Sequence, residues 1–211
     1  MFRKGETNLK QILKLNNINK EFKQNMILEN ITFEISKGEL IHISGGNGSG
    51  KSTLFKIIAG IIEADSGTIE LNLNSSMGAL IENPNFIEDA SMYKNLKFLA
   101  DINKNFNPTV IENLCGNFGL DFSSKMKMKN YSVGMRQKVG IIQAIMENQQ
   151  LILLDEPTRG LDESSLTFFK QLIEKLVTEN KTIIIASHDN SSNLLFDKMY
   201  KLDSGRLLLK Q

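Results

Sequence analysis

The sequence predicts an α/β fold built on a mainly parallel sheet, and three observations predict it. Short, continuously apolar runs at Leu151–Leu154 and Thr182–Ala186 alternate with helix-length stretches, the pattern of strands buried on both faces. A strand at Ile41–Ser44 runs through a glycine-rich loop into a helical pattern. From Asn85 to Asn130 the texture changes to apolar residues at helical spacings between polar breaks, which reads as a small helical lobe.

Taken in chain order, Ile31, Phe33 and Ile35 alternate with polar neighbours as a half-buried strand, and Lys37, Gly38 and Glu39 turn the chain into the strand Ile41–Ser44. The helix that follows carries Leu54, Phe55, Ile57 and Ile58 and ends at Gly60. A second alternating strand is expected over Thr68–Leu73, with Ile69, Leu71 and Leu73 on one face, and a buried strand over Met77–Ile81 that stops before Pro84. The lobe carries Tyr93, Leu96, Phe98 and Leu99, then Val110, Ile111, Leu114, Phe118 and Leu120. After it come a helix around Arg136–Met146, the strand at 151–154, a helix at Ser164–Glu179 and the strand at 182–186. Lys125, Lys127 and Lys129, interleaved with Met126 and Met128, read as a solvated face.

Composition narrows the function classes. At 211 residues with 41% hydrophobic and 23% charged residues, the chain can bury a sizeable core, and disorder, collagen and coiled-coil classes are excluded. The net charge of +1 gives no global field toward nucleic acid or anionic lipid. Cys115 is the single cysteine, which excludes an internal disulfide or a cysteine-based zinc site and reads as an inert thiol. Met1–Lys10 has no apolar core of the secretory kind, and no apolar run approaches the ~18 residues a membrane span needs.

Three constellations carry chemistry. Residues 45–52, Gly45-Gly46-Asn47-Gly48-Ser49-Gly50-Lys51-Ser52, match G-x-x-x-x-G-K-[ST], in which glycines let successive backbone N–H groups wrap a phosphate at a helix N-terminus. Lys51 then reaches the β- and γ-phosphates, and Ser52, with Thr53 beside it, offers the hydroxyl for Mg²⁺. The apolar strand at 151–154 delivers Asp155 and Glu156 at its C-terminal end, where α/β folds place ligands. Asp155 is expected to hold Mg²⁺ through water and Glu156 to polarise the attacking water. Ser187-His188-Asp189 follows the strand at 182–186, and His188 is placed to donate to a γ-phosphate oxygen and to position the water or Glu156. His42, mid-strand between two isoleucines, reads as a structural histidine.

These motifs, in this order, resemble the ATP-binding cassette (ABC) ATPases, the nucleotide-binding subunits of ABC transporters, from about Leu13 onward. The most diagnostic stretch is Tyr131-Ser-Val-Gly-Met-Arg-Gln-Lys138, which matches the family's L-S-G-G-Q-x-Q-R signature at Ser132, Gly134 and Gln137, with Lys138 for Arg. The resemblance implies an α/β P-loop NTPase with a mainly parallel sheet core, an N-terminal antiparallel β subdomain and a small inserted helical lobe. It implies one nucleotide-binding domain over 1–211, with the helical subdomain at about 85–145. ATP and Mg²⁺ are the implied cofactors. Ser132 and Gly134 would cap the ATP of a second subunit, Asp162 in Gly160-Leu161-Asp162 would act at the same dimer interface, and Phe22 would stack on adenine, with a hydrophobic staple or core phenylalanine as the alternative.

Departures from the family pattern point to a subgroup. Val133 and Met135 replace a signature glycine and glutamine, and Tyr131-Ser-x-Gly-Met135 resembles the exporters of bacitracin and lantibiotic-type peptides. Glu82 stands where the family has Gln after the strand at 77–81, as in lantibiotic-immunity transporters, and a carboxylate there can contact Mg²⁺. Glu163 replaces a proline after the Asp162 loop. The expected protein is an ATPase held at the cytoplasmic face of a membrane by transmembrane permease subunits, pairing with a like or unlike ATPase subunit, with no nucleic acid partner. The alternatives are a soluble ABC ATPase acting on DNA or ribosomes, and a P-loop kinase. The first of these is disfavoured because one short cassette has no coiled coil between Lys51 and Ser132.

Overall fold

The computed structural model describes residues 11–72, 77–188 and 194–210. Among them two sheets form. Strands β1 (Gln11–Phe22), β2 (Asn25–Ser36) and β4 (Ser66–Leu71) make an antiparallel sheet in the order β2-β1-β4. The larger sheet has the order β5-β6-β7-β3-β8-β9, from β5 (Met77–Leu80), β6 (Leu151–Asp155), β7 (Thr182–Ser187), β3 (Leu40–Ser44), β8 (Lys198–Asp203) and β9 (Arg206–Leu209). All its neighbours are parallel except β9 against β8. The helices are α1 (Lys51–Ile58), α2 (Met92–Ile102), α3 (Pro108–Asn117), α4 (Val133–Ile145) and α5 (Glu163–Thr178).

The apolar runs at 151–154 and 182–186 are buried on both faces, as their composition predicts. Leu151, Leu153, Ile184 and Ala186 face a core shared with α1, β1 and β2, whereas Ile152, Leu154, Ile183 and Ile185 face a second core shared with α2–α5. That second core runs without a break from the sheet into the helical lobe. Helix α4 is pressed so closely on β5 that a Cβ on Gly78 would overlap the carbonyl oxygen of Ala144. Cys115 is fully buried in this core, its thiol pushed up to about 12 by burial, and so unreactive. Lys127 and Lys129 are solvated as expected, both paired with Asp89.

Three departures from the sequence reading have physical causes. Strand β1 escaped notice because it is bulged. Its buried residues, Ile12, Leu13, Leu15 and Ile18, do not keep period two, and the register against β2 shifts repeatedly along the strand, once across Asn17, which takes a positive φ of 50°. The alternation at 68–73 does not mark a buried face. β4 is an edge strand with Ile69 and Leu71 exposed, and Leu73 lies outside the described residues. β8 and β9 carry mixed polar and apolar residues at a sheet edge, so no apolar run announces them.

Candidate nucleotide-binding site

The sheet order gathers what the chain scatters. Four neighbouring strands, β5, β6, β7 and β3, end side by side, and their C-terminal ends carry Glu82, Asp155 with Glu156, His188, and the glycine loop respectively. The loop and the ends of β5 and β6 border a cavity of about 530 Å³ lined by Phe22, Asn47–Thr53, Glu82, Gln137, Asp155, Glu156 and Arg159, among others, and His188 meets it through Glu156, 3.1 Å away.

The loop is built to meet an anion. Side chains cap the starts of α2 to α5, from Ser91, Asn107, Ser132 and Asp162, each accepting a backbone N–H of its first turn. Helix α1 has Gly50 at that position, with φ of 102° and no side-chain cap, which leaves its first N–H groups for a ligand. A Cβ at Gly50 would lie 2.9 Å from Leu28 and 3.1 Å from the Ile27 carbonyl, so the loop's path demands glycine. Gly45 is equally confined, and Gly46 and Gly48 are open. Among the described residues, the buried Ser49 hydroxyl has no hydrogen-bond partner. Lys51 is buried, and its Nζ donates to the carbonyls of Gly45 at 2.6 Å and Gly46 at 3.1 Å.

Opposite the loop, Ser52 Oγ donates to Asp155 at 2.5 Å. Burial raises the Asp155 carboxyl above the usual aspartate range, outweighing the hydrogen bonds from Ser52 and from the Glu82 backbone. Glu156 holds a left-handed φ of 47°, and its carboxylate lies between two nitrogens, 3.7 Å from Lys51 Nζ and 3.1 Å from His188 Nδ1. A hydroxyl and a carboxylate at one point are hard oxygen donors suited to Mg²⁺, which takes one or two protein oxygens together with phosphate oxygens. Among the described residues no group of three or more His, Cys, Asp or Glu could hold a metal.

The remaining expected residues divide. Phe22 is 46% exposed at the cavity rim with Lys20 Nζ 5.2 Å from its ring centroid, so the core alternative is set aside. Glu82, in a left-handed φ of 58°, gives its carboxylate to Lys56 at 2.7 Å. Ser132 and Gly134 at the start of α4 do not line the cavity of their own chain; Ser132 caps α4 and Gly134 packs on Gly160. Asp162 likewise stands outside the cavity. It caps α5 and pairs with Lys138 at 2.7 Å, and these bonds hold its carboxyl far below the usual range. Glu163 occupies the first turn of α5, where a carboxylate meets the positive helix end and proline is also favoured, which accounts for the exchange. Asp189 lies outside the described residues. His42 is buried, 2.8 Å from Ser187 Oγ and stacked on Phe196, in keeping with a structural role. Gln137 and Arg159 reach the cavity without a role foreseen for either. For Gln137 the signal was present, as one of the three signature matches, whereas nothing local marks Arg159.

The family model described as ABC transporter matches residues 28–159. The chain is 34% identical over 188 residues to the uncharacterised ABC transporter ATP-binding protein YdbJ of Bacillus subtilis, 84% of this chain and 61% of that protein. It is 33% identical over 184 residues to the lantibiotic transport ATP-binding protein SrtF of Streptococcus pyogenes, 84% of this chain and 80% of that one. A solved structure of cbiO1 from Clostridium perfringens, titled as part of the ABC transporter complex cbiONQ, matches with a TM-score of 0.74 at 28% identity, over 95% of this chain and 88% of that one. Among the described residues no helix is long and apolar enough to cross a membrane.

Proposed function

The chain belongs to the ABC transporter ATP-binding family, and on that premise we propose that it is the ATP-hydrolysing subunit of a transporter, acting as a head-to-tail dimer on transmembrane permease subunits. The observation that carries this reading is a division of labour. Lys51, Ser52, Asp155 and Glu156 line one cavity at the strand ends, with His188 on Glu156 at 3.1 Å, while Ser132 and Gly134, at the start of the signature stretch, stand outside it and only its Gln137 reaches in. A site split in this way is completed by the signature of a second subunit.

In this reading the triphosphate lies on the N–H groups of the loop and α1, with Lys51 turning from the loop carbonyls to the phosphate oxygens and Phe22 beneath the base. Ser52 and Asp155 would hold Mg²⁺, which would supply neutralisation of the phosphate charge. Glu156 takes the proton of the attacking water as the new P–O bond forms and the bond to the β-phosphate oxygen breaks. His188 fixes the Glu156 carboxylate and donates to the γ-phosphate. The chain works as one nucleotide-binding domain over 1–211, its helical subdomain at about 85–145 moving when ATP closes the dimer. The permease docks beside that subdomain, near Glu82 and Phe86, and holds the ATPase at the cytoplasmic face. The cargo class is antimicrobial peptides or drugs, exported. Support comes from the likeness to SrtF and from the Tyr131–Met135 pattern.

Mixing tests the split site. Lys51→Ala and Ser132→Arg chains, each inactive alone, should recover ATPase activity together by forming one intact composite site. If no mixture recovers activity, the trans-acting signature is refuted. Recovery of polytopic membrane proteins with the tagged chain from gently solubilised membranes tests the permease partnership, and exclusive recovery with ribosomes or DNA overturns it.

A further inference from the structure

The hydrolytic carboxylate is held by a side chain from another part of the fold. Gln137 is nine-tenths buried on the second turn of α4, and its Nε2 donates to the backbone carbonyl of Glu156 at 3.0 Å. The Glu156 peptide needs such a hold. A left-handed φ of 47° in a residue with a Cβ is costly, and it persists only where neighbours over-determine it. Three bonds do so: Glu156 N–H donates to Ala186 at 2.8 Å, its carbonyl accepts from Arg159 N–H at 3.2 Å, and the same carbonyl accepts from Gln137. The first two belong to β7 and to the turn at 156–159. The third is the one that reaches across to α4.

The neighbours of Gln137 make the same link. One turn back, Gly134 packs on the carbonyl of Gly160, and next in chain Lys138 Nζ bridges the Phe118 carbonyl at 3.0 Å and Asp162 at 2.7 Å. The helix that begins at Ser132 is therefore fastened along the whole segment from Glu156 to Asp162.

We propose that Gln137 is a positioning residue for hydrolysis. By holding the Glu156 carbonyl it keeps the peptide in its left-handed conformation and the carboxylate between Lys51 and His188, so the placement of α4 sets whether Glu156 is aimed. A displacement of α4 breaks this bond first, because the other two are internal to the sheet and the turn. This inference rests on the ATPase reading above.

The test replaces Gln137 by two residues of similar length that cannot donate, Gln137→Met and Gln137→Glu, and measures ATP affinity, KM, kcat and the unfolding midpoint of the whole chain. The expected result for at least one variant is kcat lower by about tenfold or more, as for a reacting group displaced by a fraction of an ångström, with ATP affinity, KM and unfolding midpoint unchanged. Placed in a Glu156→Gln background, the same variant should leave residual hydrolysis as it is, because the carboxylate it positions has gone. Unchanged kcat in both variants overturns the proposal. So does a joint loss of kcat and ATP affinity, which makes Gln137 a nucleotide contact in the cavity it lines, or failure of both variants to fold, which makes it a packing residue. A wild-type chain that neither binds nor hydrolyses ATP refutes the ATPase reading instead.

Discussion

Gly134, in the signature stretch, sits directly on the carbonyl oxygen of Gly160, so closely that a Cβ there would overlap it. A residue expected to act on a partner's nucleotide thus also fits its own chain together. Gly134→Ala should push α4 off the 156–162 segment and destabilise the isolated chain by about 1–3 kcal/mol, the usual range for overpacking. Chemical denaturation of the monomeric form measures this, and a wild-type midpoint would mean that the close approach is relieved at no cost.

Glu156 and Lys51 lie 3.7 Å apart and are proposed to divide the chemistry between them. Glu156→Gln keeps the volume and removes the proton acceptor, so ATP affinity should hold while turnover falls by about 10²- to 10⁴-fold and an ATP-bound dimer accumulates. Lys51→Ala should weaken ATP binding by about 1.5–3 kcal/mol through the lost charge-assisted bond. Equilibrium nucleotide binding and single-turnover hydrolysis separate the two. Equal loss of affinity in both variants would contradict the assigned roles.

Asp155 predicts a pH effect of unusual sign. Its folded-state carboxyl titrates above the ordinary aspartate value because it is buried, so between that ordinary value, about 3.9, and the raised one the folded chain binds more protons than the unfolded chain. Stability from this group therefore falls as pH rises through the window and stays lost above it. Asp155→Asn should be more stable than wild type at neutral pH without nucleotide and should flatten that part of the pH profile, while losing Mg²⁺-dependent hydrolysis. Thermal unfolding across the acid range checks the sign, and a destabilised variant at neutral pH would reverse it.

Glu82 pairs with Lys56 across side chains that are 55% and 31% exposed, so its contribution to stability is small, about 0–1 kcal/mol. Glu82→Gln should fold, bind ATP and retain ATPase activity, but change its coupling to the membrane partner. Transport or resistance assayed in cells decides this. An unaltered phenotype would leave the charge at position 82 without a role in coupling.

Much of this site was legible in the chain because its signals are local. A glycine loop between a strand and a helix, two carboxylates after four apolar residues, and a histidine after another apolar run each sit within a few residues of the element that presents them. Helix starts were less legible: the helix expected around Arg136–Met146 begins at Val133 with Ser132 as its cap, and the one expected at Ser164–Glu179 begins at Glu163 with Asp162 as its cap. Bulged β1 and the mixed strands β8 and β9 were not legible, since their burial follows neither period two nor a continuous run.

The sequence by itself determined the nucleotide chemistry, because that chemistry depends on residue types at short spacings beside buried strands. The tertiary structure alone decided how the pieces meet. It set the strand order that brings Lys51 to within 3.7 Å of Glu156, the commitment of Glu82 to Lys56 and of Asp162 to Lys138, and the reach of Gln137 to the Glu156 carbonyl. The physical reason is that such contacts join residues far apart in the chain through packing against a shared core, and packing partners leave no periodic trace in either partner's own sequence.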